Sequence, residues 1–208
     1  MVLTAFLISR RLVMSVTEAL AHFRKVDPLL YAAAKDISIK PLKPRQPRDY
    51  FRSLCFEIIN QQLNGKVART IFARFEAMFR QGITPESVNR IKIERIRSIG
   101  ASWSKAEFIK DLAKKVCSGE LDLSKLKRLD NESAIGQLTS VKGIGPWTAE
   151  MFLMFTIGRE DLFSHGDLGL RKGVEKLYGI TDKDEVERLS QRWSPYRTYA
   201  CKGFVERQ

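Results

Sequence analysis

Asp167 is a lone acid that follows Gly166 and precedes Leu168, a placement that predicts the start of a helix. A carboxylate there ordinarily caps the helix by accepting from its first amides, and a helix N-terminus favours a negative charge. The stretch before it makes Asp167 more than a cap: Leu138-Thr139-Ser140-Val141-Lys142-Gly143-Ile144-Gly145-Pro146-Trp147-Thr148-Ala149. That stretch reads as a helix, a glycine hairpin and a second helix. Gly143 and Gly145 flank one aliphatic residue, and without a Cβ each lets the backbone turn tightly and come close to a ligand. Pro146 takes the first helical position, where its missing N–H costs nothing. The amides at that helix start suit a phosphate. Lys142 brings charge to the turn, and the Thr148 hydroxyl adds a donor in the first helical turn. A backbone grip on phosphate followed by one carboxylate points to chemistry on nucleic acid.

The bulk composition agrees. The chain has 208 residues, 44% of them hydrophobic, enough for one sizeable core or two lobes and too many for a disordered chain. A net charge of +12 favours a polyanionic partner, either nucleic acid or an anionic membrane surface. Cys55, Cys117 and Cys201 are odd in number and far apart. They supply no disulfide framework, no zinc spacing and no four-thiolate set for an iron–sulfur cluster. A reducing, intracellular compartment fits them. Residues 1–13 are apolar with Arg10 and Arg11 at the end, whereas a secretory signal carries its charge first. The run is also too short to span a bilayer. Residues 1–14 are expected to be an extension without a targeting role, disordered or packed, or else to precede a true start at Met14.

The elements that must position the hairpin and Asp167 are helical throughout. Phe51, Leu54, Cys55, Ile58 and Ile59 mark one face of a helix starting near Arg48, and Val67, Ile71, Phe75 and Phe79 mark the next. Thr84-Pro85-Glu86 supplies an N-cap, a proline at the first position and a first-turn acid. Phe108, Leu112 and Val116 line a helix that ends near Ser118-Gly119, while Thr181 and Ser194-Pro195 open two more. Residues 40–48, with three prolines and four basic residues, predict an extended linker between lobes, or a solvated strap. The expected fold is all-α and two-lobed, with about ten helices and a helix-hairpin-helix near residues 131–157. The working domain is 15–208, with a central lobe of roughly 50–150 and a second lobe from the N-terminal helices plus 151–208.

Taken together, the motifs resemble the helix-hairpin-helix (HhH-GPD) DNA glycosylase superfamily, named for that hairpin, a Gly/Pro-rich loop and an aspartate. Within it the chain is most similar to the 3-methyladenine DNA glycosylase II group, in compact form without the extra β-rich domain of some bacterial relatives. Residues 58–68, Ile-Ile-Asn-Gln-Gln-Leu-Asn-Gly-Lys-Val-Ala, resemble the group's glutamine-containing helix–turn–helix. Residues 143–149 resemble its hairpin with tryptophan, and residues 193–200, Trp-Ser-Pro-Tyr-Arg-Thr-Tyr-Ala, its C-terminal segment.

The resemblance implies a role for each of these. Asp167 matches the catalytic aspartate. Trp147 stands where lyase-competent relatives carry a nucleophilic lysine, and without an amine no Schiff base forms with the sugar. A monofunctional glycosylase acting on alkylated purines is therefore implied, with base flipping and water as nucleophile. Glycosylases for hypoxanthine, ethenoadenine or oxidised bases, and a non-catalytic damage-recognition module, remain as alternatives. Trp147, Trp103, Tyr196 and Phe204 are the base-pocket candidates, although core packing competes for at least two of the last three. The group's late pocket tryptophan falls here near Val205, beside Phe204. Gln61 or Gln62, with Leu63, matches the region that plugs the emptied duplex, unless the glutamines are caps. Lys142, Gly143, Gly145, Thr148 and Arg171 complete the DNA-binding set. Related hairpins hold Na⁺ or K⁺ on backbone carbonyls that match Thr139, Val141 and Ile144; no other cofactor is implied. Asp161 is expected to do surface or capping work. The partner is double-stranded DNA carrying a damaged base, bound by a monomer, in the cytoplasm or nucleoid, or in the nucleus of a eukaryote.

Overall fold

The computed structural model describes residues 16–205, and the expectation for residues 1–14 lies outside them. Twelve α-helices and no strand occur among the described residues, so the fold is all-α. The chain divides into two compact units, Arg45–Phe152 and a second built from both flanking segments, 1–44 and 153–208. The division falls inside the proline-rich run, between Pro44 and Arg45. No helix among the described residues is long and apolar enough to cross a membrane.

The unit Arg45–Phe152 holds α3 (Tyr50–Asn60), α4 (Gly65–Glu76), α5 (Pro85–Arg90), α6 (Ile93–Ser98), α7 (Trp103–Ser118), α8 (Asn131–Thr139) and α9 (Pro146–Phe152). Helix α7 is its spine, packing on α3, α5 and α6 through Ala106, Ile109, Leu112 and Ala113. Ser102 caps it by accepting from the Lys105 amide, and Gly119 ends it in the left-handed region at φ +80°. In α3, Leu54, Ile58 and Ile59 are wholly buried, and each such side chain contributes about 2 kcal/mol. Truncating Ile58 to alanine would cost roughly 2–5 kcal/mol, enough to threaten this unit. Thr84 and Ser87 close a reciprocal capping box on α5, with Pro85 at its first position. The inward stripe of α4 is Ala68, Ile71, Phe72 and Phe75; Val67, expected on it, is 48% exposed, and Phe79 lies beyond the helix end. Each step of four residues rotates about 40° around the helix, so Val67 falls outside the stripe that Ile71 and Phe75 share.

The other unit holds α1 (16–26), α2 (Pro28–Ala34), a π-helical turn Leu153–Ile157, α10 (Leu168–Tyr178), α11 (Lys183–Gln191) and α12 (Arg197–Val205). Its aromatic centre is Trp193, whose ring lies 5.5 Å from both Phe163 and Phe204. The buried Asp27 carboxylate organises this centre: it caps α2 through the Leu30 amide and accepts from Tyr178 Oη at 2.8 Å and Trp193 Nε1 at 2.9 Å. Three donors offset the cost of burying the acid. Burial, then the bond to Asp27, pushes the Tyr178 phenol well above its ordinary range. Two helix starts lie beyond their expected positions. Asp182 rather than Thr181 caps α11, accepting from the Glu185 amide. Helix α12 begins at Arg197, after Ser194-Pro195, because the Ser194 hydroxyl and the Arg197 amide are both held by the Asp161 carboxylate.

Candidate DNA-binding and catalytic residues

In the unit Arg45–Phe152 the hairpin forms as expected between α8 and α9, with Pro146 at the first position of α9. Leu138, Val141 and Ile144 are buried and anchor it. The turn closes through the Ile144 amide donating to Val141 O at 3.1 Å. Only Gly143 needs the left-handed backbone, at φ +79°, and a Cβ on it would overlap the Phe108 ring. Gly145 has no such demand: a Cβ there would meet nothing within 4 Å. Its missing side chain leaves an open backbone edge at the start of α9. Asp111 holds the turn from below, its carboxylate accepting from the Lys142 amide at 2.9 Å, while the Lys142 side chain is exposed. Thr148 is only 5% exposed, and its hydroxyl lies 3.4 Å from Gln61 Nε2. That hydroxyl accepts from the Gln61 amide, on a largely buried side chain.

The Gln61–Leu63 segment is a type II turn following α3. Gln61 has φ −50° and ψ 130°, Gln62 has φ +55°, and the Leu63 amide donates to Asn60 O at 3.1 Å. Gln62 is the one non-glycine with positive φ among the described residues, and it occupies the position that usually requires glycine or asparagine. Such backbone costs about 1–2 kcal/mol and persists where surroundings over-determine it. Gln62 is exposed and Leu63 half-buried. Gln61 is not presented outward; its amide donates to Gly143 O at 2.8 Å.

The carbonyls of Thr139 and Ile144 accept no backbone hydrogen bond among the described residues, and Val141 O accepts one. These three oxygens thus retain lone pairs, and oxygen donors suit a hard monovalent cation. No cluster of three or more His, Cys, Asp or Glu able to hold a metal occurs among the described residues.

In the other unit, Asp167 is the N-cap of α10, with φ −76° and ψ 120°, its Oδ1 accepting from the Leu170 amide at 2.9 Å. Its own amide donates to Ser164 O at 3.2 Å. The loop before it is tied to α12. Thr198 Oγ1 donates to Arg159 O at 2.7 Å, and Leu162 N donates to Thr198 Oγ1 at 3.2 Å. Asp161 pairs with Arg197 Nε at 2.7 Å and accepts from Ser194 Oγ at 2.8 Å. Asp161 is thus a cap for α12, one of the two roles expected of it, and a half-buried anchor as well. Burial raises its pKa, but Arg197 and Ser194 outweigh that and hold the carboxyl below the usual aspartate range. Asp167 itself is half-buried, Leu168 beside it is 68% exposed, and Arg171 is exposed one turn along α10. His165 packs on Phe163 at 4.9 Å, and burial lowers its pKa, which keeps the ring neutral at pH 7.

The four pocket candidates separate. Trp147 is 45% and Trp103 52% exposed, at the starts of α9 and α7. Tyr196 is half-buried, 5.6 Å from His22 and 6.4 Å from Tyr199. Phe204 is buried against Trp193, Tyr178 and Gly173, which makes it a core residue and corrects the pocket reading for it. Lys105, Phe108 and Asp111, which shape the hairpin and the glutamine turn, carry no motif; their partners lie 31 or more residues away in the chain.

Residues 55–195 match the HhH-GPD superfamily base excision DNA repair protein family, a span containing the glutamine turn, the hairpin and Asp167. The chain belongs to the HhH-GPD superfamily. Among HhH-GPD relatives, DNA-3-methyladenine glycosylase 1 of Schizosaccharomyces pombe is 32% identical over 197 residues, covering 91% of this chain and 86% of that protein. The crystal structure of a DNA-3-methyladenine glycosidase from Bacillus halodurans superposes with a TM-score of 0.77 at 34% identity, covering 88% of this chain and 87% of that one. A Schizosaccharomyces pombe 3-methyladenine DNA glycosylase, Mag1, in complex with abasic DNA, superposes with a TM-score of 0.78 at 30% identity, covering 90% and 95%.

Proposed function

We propose that this protein is a monofunctional DNA glycosylase that flips alkylated purines, of the 3-methyladenine and 7-methylguanine type, out of duplex DNA and hydrolyses their N-glycosidic bond. The observation that carries the reading is the similarity to a DNA-3-methyladenine glycosylase across 91% of the chain. A purine methylated on a ring nitrogen is cationic, so the electron pair of the breaking bond neutralises the departing base and little acid help is needed. The sugar becomes oxocarbenium-like. The Asp167 carboxylate stabilises that charge and takes a proton from the water that adds to the anomeric carbon. Its bond to the Leu170 amide fixes the carboxylate's orientation. Trp147 offers an exposed aromatic face, which attracts a cationic base. It provides no amine, and strand cleavage by β-elimination is not expected.

The hairpin grips the phosphate backbone through its amides and Lys142, without reading sequence. A Na⁺ or K⁺ on the Thr139, Val141 and Ile144 carbonyls would supply positive charge to a phosphate there. The protein works as a monomer in the compartment that holds the cell's DNA. The test is to incubate methylated duplex with wild type and with Asp167→Asn and to identify free bases by chromatography. Release of methylated purines by the wild type alone is expected. Release by both overturns the role of Asp167, and release by neither, with DNA binding retained, favours another lesion or a recognition module.

A further inference from the structure

The Gln61–Leu63 turn is braced from two sides within its own unit. A helix leaves its last carbonyls without intrahelical donors. At the end of α3 they are met by a cation from another helix: Lys105 Nζ on α7 donates to Ile59 O at 2.8 Å and to Gln61 O at 2.6 Å. On the other side Gln61 Nε2 donates to Gly143 O at 2.8 Å and approaches Thr148 Oγ1 at 3.4 Å, joining the turn to the hairpin. The Gly143 carbonyl can only accept, so it demands the amide NH₂ and fixes the orientation of the Gln61 side chain. Gln61 is therefore occupied at both its main-chain carbonyl and its side chain. Gln62, next to it, is held in the left-handed region and exposed. Lys105 is half-buried, and burial lowers its pKa, so the contact places a partly desolvated ammonium against two carbonyls.

We propose that Lys105 and Gln61 are positioning residues that lock the glutamine turn to the hairpin, so that phosphate grip and insertion of Gln62 into the duplex occur in one fixed register. This rests on the glycosylase reading above. Lys105 touches neither base nor sugar; it acts through the backbone of Gln61 and Gln62. Without the brace the turn relaxes from its unfavourable backbone, and Gln62 no longer fills the gap left by the flipped base.

The experiment compares Lys105→Met, Lys105→Arg and Gln61→Ala with wild type in single-turnover release of methylated purine. Two duplexes are used, one fully paired and one with an abasic site opposite the lesion, where little wedge is needed. Lys105→Met and Gln61→Ala are expected to slow release from the paired duplex roughly tenfold to a hundredfold, the scale of a lost positioning contact. They should slow the abasic-opposed duplex much less, and arginine should restore most of the rate. Equal slowing on both duplexes, or no slowing, overturns the proposal. Should Lys105→Met fail to fold, as judged by circular dichroism, Gln61→Ala decides. Fluorescence of 2-aminopurine at the target position reports unstacking independently of hydrolysis. A wild type that unstacks 2-aminopurine but releases no base would sink the glycosylase reading alone. Unstacking unchanged in Lys105→Met and Gln61→Ala would sink the brace alone.

Discussion

Gly143 and Gly145 are two residues apart and look interchangeable in sequence, yet their surroundings predict opposite phenotypes for Gly→Ala. At Gly143 the backbone is left-handed, which costs a residue with a Cβ about 1–2 kcal/mol. The added methyl would also overlap the Phe108 ring, an overpacking cost of about 1–3 kcal/mol. Lower entropy of the unfolded chain returns about 0.4–1 kcal/mol. The net loss is about 1–5 kcal/mol, which lowers Tm by roughly 2–18 °C in a chain of this size. At Gly145 neither cost applies, so stability should change by less than about 0.5 kcal/mol. Its methyl would instead project from the exposed start of α9 and hold a phosphate away, so DNA affinity should fall. Thermal unfolding by circular dichroism and fluorescence anisotropy on a labelled duplex separate the two. Pairing Gly143→Ala with Phe108→Ala should recover part of the loss, a coupling of about 0.5–3 kcal/mol. A Gly143→Ala variant melting within 2 °C (roughly 1 kcal/mol) of wild type would refute the steric reasoning, and a Gly145→Ala variant with full affinity would refute the close-approach reasoning.

Other expectations follow from the same geometry. Asp167→Asn keeps an oxygen able to accept from the Leu170 amide, so its Tm should stay near wild type, while Asp167→Ala should lose about 1 kcal/mol as well as activity. If both variants melt alike, the cap contributes nothing. The Asp161 carboxyl is held below its ordinary value of 3.8, so its stabilisation is fully present above that pH and is lost as pH falls through the lower folded value. Denaturant titrations from pH 6 downward should show Asp161→Asn converging on wild type only at the acid end; parallel curves would contradict the linkage. Gln62→Gly removes both the side chain proposed to enter the duplex and its backbone strain. Activity should drop while stability stays within about 1 kcal/mol of wild type, and a variant with full activity would remove Gln62 from the mechanism.

What could be read in the sequence was local. The hairpin helices, Pro146 at the start of α9, the Thr84 cap and Asp167 at the start of α10 all follow from side chains acting on their own backbone a few residues away. Long-range partners were invisible. Nothing near Lys105 signals that its ammonium ends a helix more than forty residues earlier, and nothing in Thr148 signals that its hydroxyl faces Gln61. Phe204 looked like a pocket aromatic because type alone cannot tell a core ring from a presented one; its neighbours Trp193 and Gly173 decide that. The two glutamines were equivalent as letters, and what distinguishes them is the left-handed backbone at Gln62 and the long-range bonds that hold Gln61.

The order in which the chain is made gives the two units different histories. Residues 45–152 are continuous, so the unit carrying the hairpin is fully translated once Phe152 is added. The unit carrying Asp167 uses segments on both sides of the first and waits for the stretch that follows Phe152, some tens of residues and so a few seconds or more at ordinary elongation rates. During that interval the nascent polypeptide has its hairpin but neither Asp167 nor α12, which ties down the loop leading to it. A ribosome stalled in that window would display a chain that, on the proposed function, can hold DNA and cannot release a base from it.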